Sequence, residues 1–263
     1  MIVLDLREAA EAGVSAVGTL PDLDPTERAS AIETWRGRMI NETISARVFA
    51  AMIPQALAAN VSSGFLERVA RAASDELRHG RQCAAVVKAL GGDPVAQIET
   101  LAPVPSHDDA TPLEALLRNV LSVSCLSETV AVALIGAERL RVGPQGIQAT
   151  LSHILADEVQ HARMGWILVE QLAATLDAAT VNRLNAYLIV AFRHLVAHEL
   201  AHLPEGPPPS PDAMAVGVCD GGEGRTLFFD TVQTIIVPRL QALGFDAHSA
   251  WRAAMPRRDV CAA

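Results

Sequence analysis

Two segments of this chain, SDELRHG at residues 74–80 and ADEVQHA at 156–162, both contain Asp-Glu-x-x-His. On a helix, positions i and i+3 share a face. Glu76 with His79, and Glu158 with His161, therefore each direct a carboxylate and an imidazole the same way. Two further glutamates stand alone in apolar surroundings, Glu42 in RMINETISARVF and Glu128 in VSCLSETVAVALIG. Ionised groups buried among apolar residues are costly unless paired or metal-bound. Four carboxylates and two imidazoles balance two divalent or trivalent cations. A third stretch, HELAH at 198–202, has the spacing used by zinc peptidases, two His one helical turn apart with a Glu between them.

Long helices must carry these groups. Half of the 263 residues are hydrophobic, yet Phe, Trp and Tyr make up only 4%, which favours packed helices over a β-sandwich. Helix-start and helix-stop signals divide the chain into five long segments. The first begins at PDLDPTE, after a loose N-terminus, and runs to about Asn60. The second, from Ser62, stops at Gly-Gly-Asp-Pro (91–94), and a Pro-bearing crossover follows to about residue 111. The others cover 111–143, 144–176 and 177–204, with Pro144 near a first turn. No strand-period alternation and no internal repeat stands out. The segments predict an all-α domain over residues 1–204, a Pro/Gly-rich loop over 205–224, and a helical extension over 225–263 that packs on the same domain.

The glutamates and histidines fall one element per helix, in the order Glu, Glu-x-x-His, Glu, Glu-x-x-His. That order resembles the ferritin-like di-iron carboxylate superfamily, over about residues 25–176. The resemblance implies a ferritin-like four-helix bundle with a long crossover between helices 2 and 3, here followed by a fifth helix and a C-terminal extension. The 52 residues from Glu76 to Glu128 accommodate that crossover. It also implies that Glu76 and Glu158 bridge two metals, with Glu42 and His79 completing one and Glu128 and His161 the other. Asp75 and Asp157 resemble the aspartates that, in the oxygenase and ribonucleotide reductase branch, hydrogen-bond a ligand His.

What the resemblance implies for chemistry is a non-haem di-iron oxygenase or oxidase. Two iron ions, with manganese as the alternative, would activate O2 and oxidise a small organic substrate, with electrons from a reductase or ferredoxin. The Glu-to-Glu spacings are similar to those of the p-aminobenzoate N-oxygenases, whose extra His on the fourth helix does not align here. The tyrosyl-radical arrangement is disfavoured, because Cys83 occupies the place one turn after the first motif His. A ferroxidase, a peroxidase or a manganese catalase-like protein of the same fold is the alternative. Small residues beside Glu128 (Ser124, Cys125, Ala131) either leave room for a substrate or allow close helix packing.

HELAH lacks the third His of the longer zinc-peptidase pattern, and Glu223, the carboxylate downstream, sits in a Gly-rich loop. His194, His198 and His202 form a stripe four residues apart, with Tyr187 upstream. The stripe is either a solvated polar face of the fifth helix or the source of an additional metal ligand; His153 is a further candidate, but it lies about 140° around the helix from Glu158. The net charge of −9 argues against nucleic acid or an anionic membrane as partner. Four scattered cysteines (Cys83, Cys125, Cys219, Cys261) without CxxC, no signal-like N-terminus and no apolar run of membrane length predict a cytoplasmic protein. The first 20 residues and the C-terminal extension either cover the pocket or form a homodimer interface.

Overall fold

The computed structural model describes residues 1–99 and 101–255. The last residues of the predicted extension, Cys261 among them, lie outside that range. The chain opens with strand β1 (Ile2–Asp5) and helix α1 (Arg7–Val17). Helix α2 (Pro25–Ala58) starts at Asp24, whose carboxylate accepts the N–H groups of Thr26 and Glu27 while Glu27 reaches back. That capping box satisfies donors the first turn leaves unpaired. Helix α3 (Ser63–Ala89) gives way at Gly91, where φ is +88° and a side chain would be strained. Strand β2 (Val95–Ile98) lies in the crossover.

Helix α4 (Pro112–Arg139) begins under a Thr111 cap and contains a π-helical segment, Leu121–Ser127. Helix α5 (Gln145–Ala173) follows Pro144, and α6 (Ala178–His202) is capped by Asp177. A short helix α7 (Pro211–Ala215) leads to α8 (Gly221–Thr231), which continues through a π segment (Val232–Ile236) into Val237–Ala242. Helix α9 is Ala247–Ala254. The helices α2, α3, α5 and α4 touch in a closed ring, and α6 packs on the π segment of α4 and on α9.

Three features differ from the sequence reading. The N-terminus is not loose: β1 pairs antiparallel with β2, Ile2 opposite Ile98, and α1 packs on α3. These four-residue strands carry no usable alternation, because their pairing comes from chain about 90 residues away rather than from a local hairpin. The Gly-rich stretch at 221–224 opens a helix, because the Asp220 side chain accepts the N–H groups of Gly222 and Glu223. One segment, Pro112–Arg139, is long and apolar enough by length and composition to cross a membrane. It contacts α2, α5, α6 and α8, and a helix with neighbours on several sides is apolar on several sides.

The core comes in two apolar clusters, and the ionisable residues lie between them. On α2, Met39 belongs to one cluster and Phe49 to the other, with Glu42 between. On α3 the boundary runs from Ala72 to Cys83, across Glu76 and His79. On α5 it runs from Ile154 to Ala162, across Glu158 and His161. The bundle thus holds a charged layer between two apolar ones. Gly80 lets α2 approach that layer closely, since a Cβ there would meet Thr43 Oγ1 at 3.4 Å and the Met39 carbonyl at 3.6 Å.

Candidate metal centre

Four helices bring six side chains to one point. Ligand atoms of Glu42, Glu76, His79 and Glu158 lie within 4.8 Å of one another, and so do those of Glu76, Glu128, Glu158 and His161. The two groups share Glu76 and Glu158. His79 is fully buried, and Glu76, Glu158 and His161 are 2%, 3% and 2% exposed.

The two halves mirror each other. His79 Nδ1 lies 3.3 Å from Glu42 Oε2, 3.3 Å from Glu158 Oε1 and 3.9 Å from Glu76 Oε2. His161 Nδ1 lies 2.9 Å from Glu158 Oε2 and 3.1 Å from Glu76 Oε1. Glu158 and Glu76 therefore each turn one oxygen to each imidazole. Glu128 arrives through the π segment, its N–H bonded five residues back to the Val123 carbonyl. Such a wide turn shifts the face that follows it on the helix, a device frequent at functional sites.

Outside the cluster the imidazoles meet aspartates from opposite helices. His79 Nε2 is 3.0 Å from Asp157 Oδ2, and His161 Nε2 is 3.4 Å from Asp75 Oδ2. Arg78 joins the pair, with Nη2 2.8 Å from Asp75 Oδ1 and 2.6 Å from Asp157 Oδ2. These outer contacts leave both Nδ1 atoms directed inward. Arg78 thus ties the two aspartates together.

So many carboxyls in one dry space cannot all ionise. Burial, then the neighbouring Glu158, Glu42 and Glu128, pushes Glu76 well above the usual carboxylate range. Burial and then Glu158 push Glu128 up likewise. Burial opposes ionisation of Glu158 too, but bonds from His161 and His79 outweigh it and hold its carboxyl at about 2. Burial opposes a charged His79, yet Glu158 and Glu42 raise that imidazole to about 10. Without bound ions, protons supply the positive charge that cations would bring.

The donor set fits metal ions. Glu76 Oε1 and His79 Nδ1 are buried and make no hydrogen bond of proper geometry, the condition of ligand atoms aimed at an ion. Carboxylate oxygens and imidazole nitrogens suit iron and manganese, and the aspartates on Nε2 are the partners that metal-binding histidines usually have.

The HELAH helix divides between two faces. His194, His198 and His202 are exposed, as is His153, and none of them belongs to the cluster. Glu199 turns inward and is 9% exposed. Burial pushes its carboxyl up to about 7, and it lies within electrostatic reach of Glu128. Its place was legible, because Leu195, Val196, Glu199 and Leu203 form one buried stripe along α6. Tyr187 is not part of the imidazole stripe. It stacks edge-on with His107 at 5.2 Å, under the Arg118 guanidinium.

Of the small residues beside Glu128, Ser124 serves close packing. A Cβ on Gly165 of α5 would fall 2.3 Å from Ser124 Cβ, so the two backbones nearly touch there. A cavity of about 430 Å³ lies beyond the far end of the site on α4, lined by Leu134, Glu138, Met214, Cys219 and Leu227 among others.

No protein-family model matches this chain, and no curated protein matches it in sequence. A solved structure, "Protein 19 with aldehyde deformylating oxidase activity from Synechococcus", superposes with a TM-score of 0.56 at 16% identity. The match covers 95% of this chain and 98% of that one. Likeness at that identity speaks for the fold. The chain has the all-α, ferritin-like bundle fold, and inside it lies a buried Glu/His cluster compatible with metal ions.

Proposed function

We propose that the protein is a non-haem di-iron oxidase or oxygenase that uses O2 to oxidise a small organic substrate. The observation that carries this reading is the pair of overlapping four-residue groups sharing Glu76 and Glu158. One iron would be held by Glu42 and His79, the other by Glu128 and His161, with Glu76 and Glu158 spanning both. When bound, the iron pair supplies the redox chemistry that activates O2. The chain supplies the setting. Asp157 and Asp75 fix the tautomers of His79 and His161, Arg78 balances the aspartates, and the two apolar layers exclude water. Glu199, whose carboxyl burial raises to about 7, can hold or release a proton near neutral pH within electrostatic reach of Glu128. Electrons come from a reductase or ferredoxin, and manganese is the alternative metal. The activity stated for the Synechococcus structure makes a small aldehyde the first substrate to test.

Anaerobic loading with Fe(II) tests the core of this reading. Two tightly held irons per chain, lost in Glu158→Ala and kept in His198→Ala, are expected. A single ion that depends on His198 and survives Glu158→Ala would overturn it.

A further inference from the structure

HELAH keeps its two-imidazole geometry although it faces away from the cluster. His198 and His202 are exposed on the outer side of α6, with ring centroids 4.4 Å apart. His202 Nδ1 lies 2.8 Å from the His198 carbonyl, so that nitrogen carries the proton and donates it. The lone pair is then on Nε2, directed away from the backbone. A backbone carbonyl on the second ring nitrogen is the usual support of a metal-binding imidazole. No carboxylate lies within ion-pair distance of either ring among the described residues.

We propose that His198 and His202 form a two-imidazole chelate on the surface of α6 for a late first-row transition-metal dication, of the Ni2+ or Zn2+ class. Imidazole suits these ions, and a pair at i and i+4 presents both nitrogens to one side of the helix. Water completes the coordination shell. The site is not a peptidase centre, because Glu199 is turned into the core and Glu223, the downstream carboxylate, is paired with Arg141. His194 stands apart, its ring 6.4 Å from that of His198 and nearly parallel to it, two turns from His202.

Ni2+ calorimetry on the untagged, iron-loaded chain provides the test, because iron then occupies the buried cluster. One equivalent of Ni2+ per chain is expected. His198→Ala and His202→Ala should each weaken binding by at least about tenfold, or 1.4 kcal/mol, and His194→Ala should leave it within about twofold. Iron content should stay unchanged in all three, which separates this site from the proposed dinuclear centre. Absence of Ni2+ uptake, or uptake that persists in His202→Ala, would overturn the proposal.

Discussion

His79 and Asp157 meet across two helices, with Nε2 on α3 3.0 Å from Oδ2 on α5. The converse contact runs from His161 on α5 to Asp75 on α3. Each Asp-Glu-x-x-His segment therefore orients the other's imidazole rather than its own. The exchange couples helix packing to ligand geometry, because a shift of α3 against α5 would loosen both histidines together.

Replacing Asp157 with Asn tests this coupling. The amide offers His79 either a donor or an acceptor, so the tautomer is no longer enforced, and Arg78 loses one of two anionic partners. Loss of such a supporting partner typically costs about 10–100-fold in metal affinity. Chelator competition for Fe(II) should show a weakening of that order, with the helical circular dichroism unchanged. Wild-type affinity in Asp157→Asn would mean that the aspartate only pairs with Arg78.

The residues that meet in the cluster stood out for two reasons: Glu42 and Glu128 are isolated carboxylates in mostly apolar stretches, and the other four repeat as Glu-x-x-His on two helices. The i,i+3 spacing of those two pairs survives folding unaltered. The partners of Asp75 and Asp157 were not legible. Asp75 stands four residues before His79, within reach on its own helix, and only the packing of α3 on α5 makes the crossed arrangement. The π segment escaped for a similar reason, since LSVSCLS is ordinary helical sequence and the wide turn arises where Ser124 packs against Gly165. Strands β1 and β2 stabilise each other only across about 90 residues, which a local pattern does not reveal.

That close approach makes Gly165→Ala costly. The new methyl would meet Ser124 Cβ at 2.3 Å and Val120 Cγ1 at 3.3 Å, forcing α5 away from the π segment beside Glu128. Overpacking of this kind costs about 1–3 kcal/mol, and for a chain this long Tm falls roughly 2–4 °C per kcal/mol. Thermal unfolding should register the loss, and Ser124→Gly in the same chain should recover part of it. A Gly165→Ala variant as stable as wild type would mean that the helices can separate there freely.

Metal loading should release protons. Without ions, burial and the neighbouring carboxylates push Glu76 and Glu128 well above the usual carboxylate range, and His79 is raised to about 10, so His79 carries a proton at pH 7. Ligands must be deprotonated to bind, so affinity rises with pH through the neutral range. Calorimetry of Fe(II) binding in buffers of different ionisation enthalpy should show proton release, of about one from His79. Binding without proton release would contradict this charge arrangement.

Glu199 gives the remaining pH dependence its sign. Burial raises its carboxyl from 4.5 to about 7, so between those values the folded chain keeps a proton that the unfolded chain has lost. The stability from that retained proton is complete below about pH 4.5, falls by about 1.4 kcal/mol per pH unit across the window, and levels off above 7. Glu199→Gln keeps the shape but cannot ionise, so it escapes the penalty. Urea unfolding of metal-free protein should find the variant gaining on wild type by ~2–3 kcal/mol between pH 5 and pH 8. If the difference stays constant with pH, Glu199 has no raised pKa and holds no proton in the neutral range.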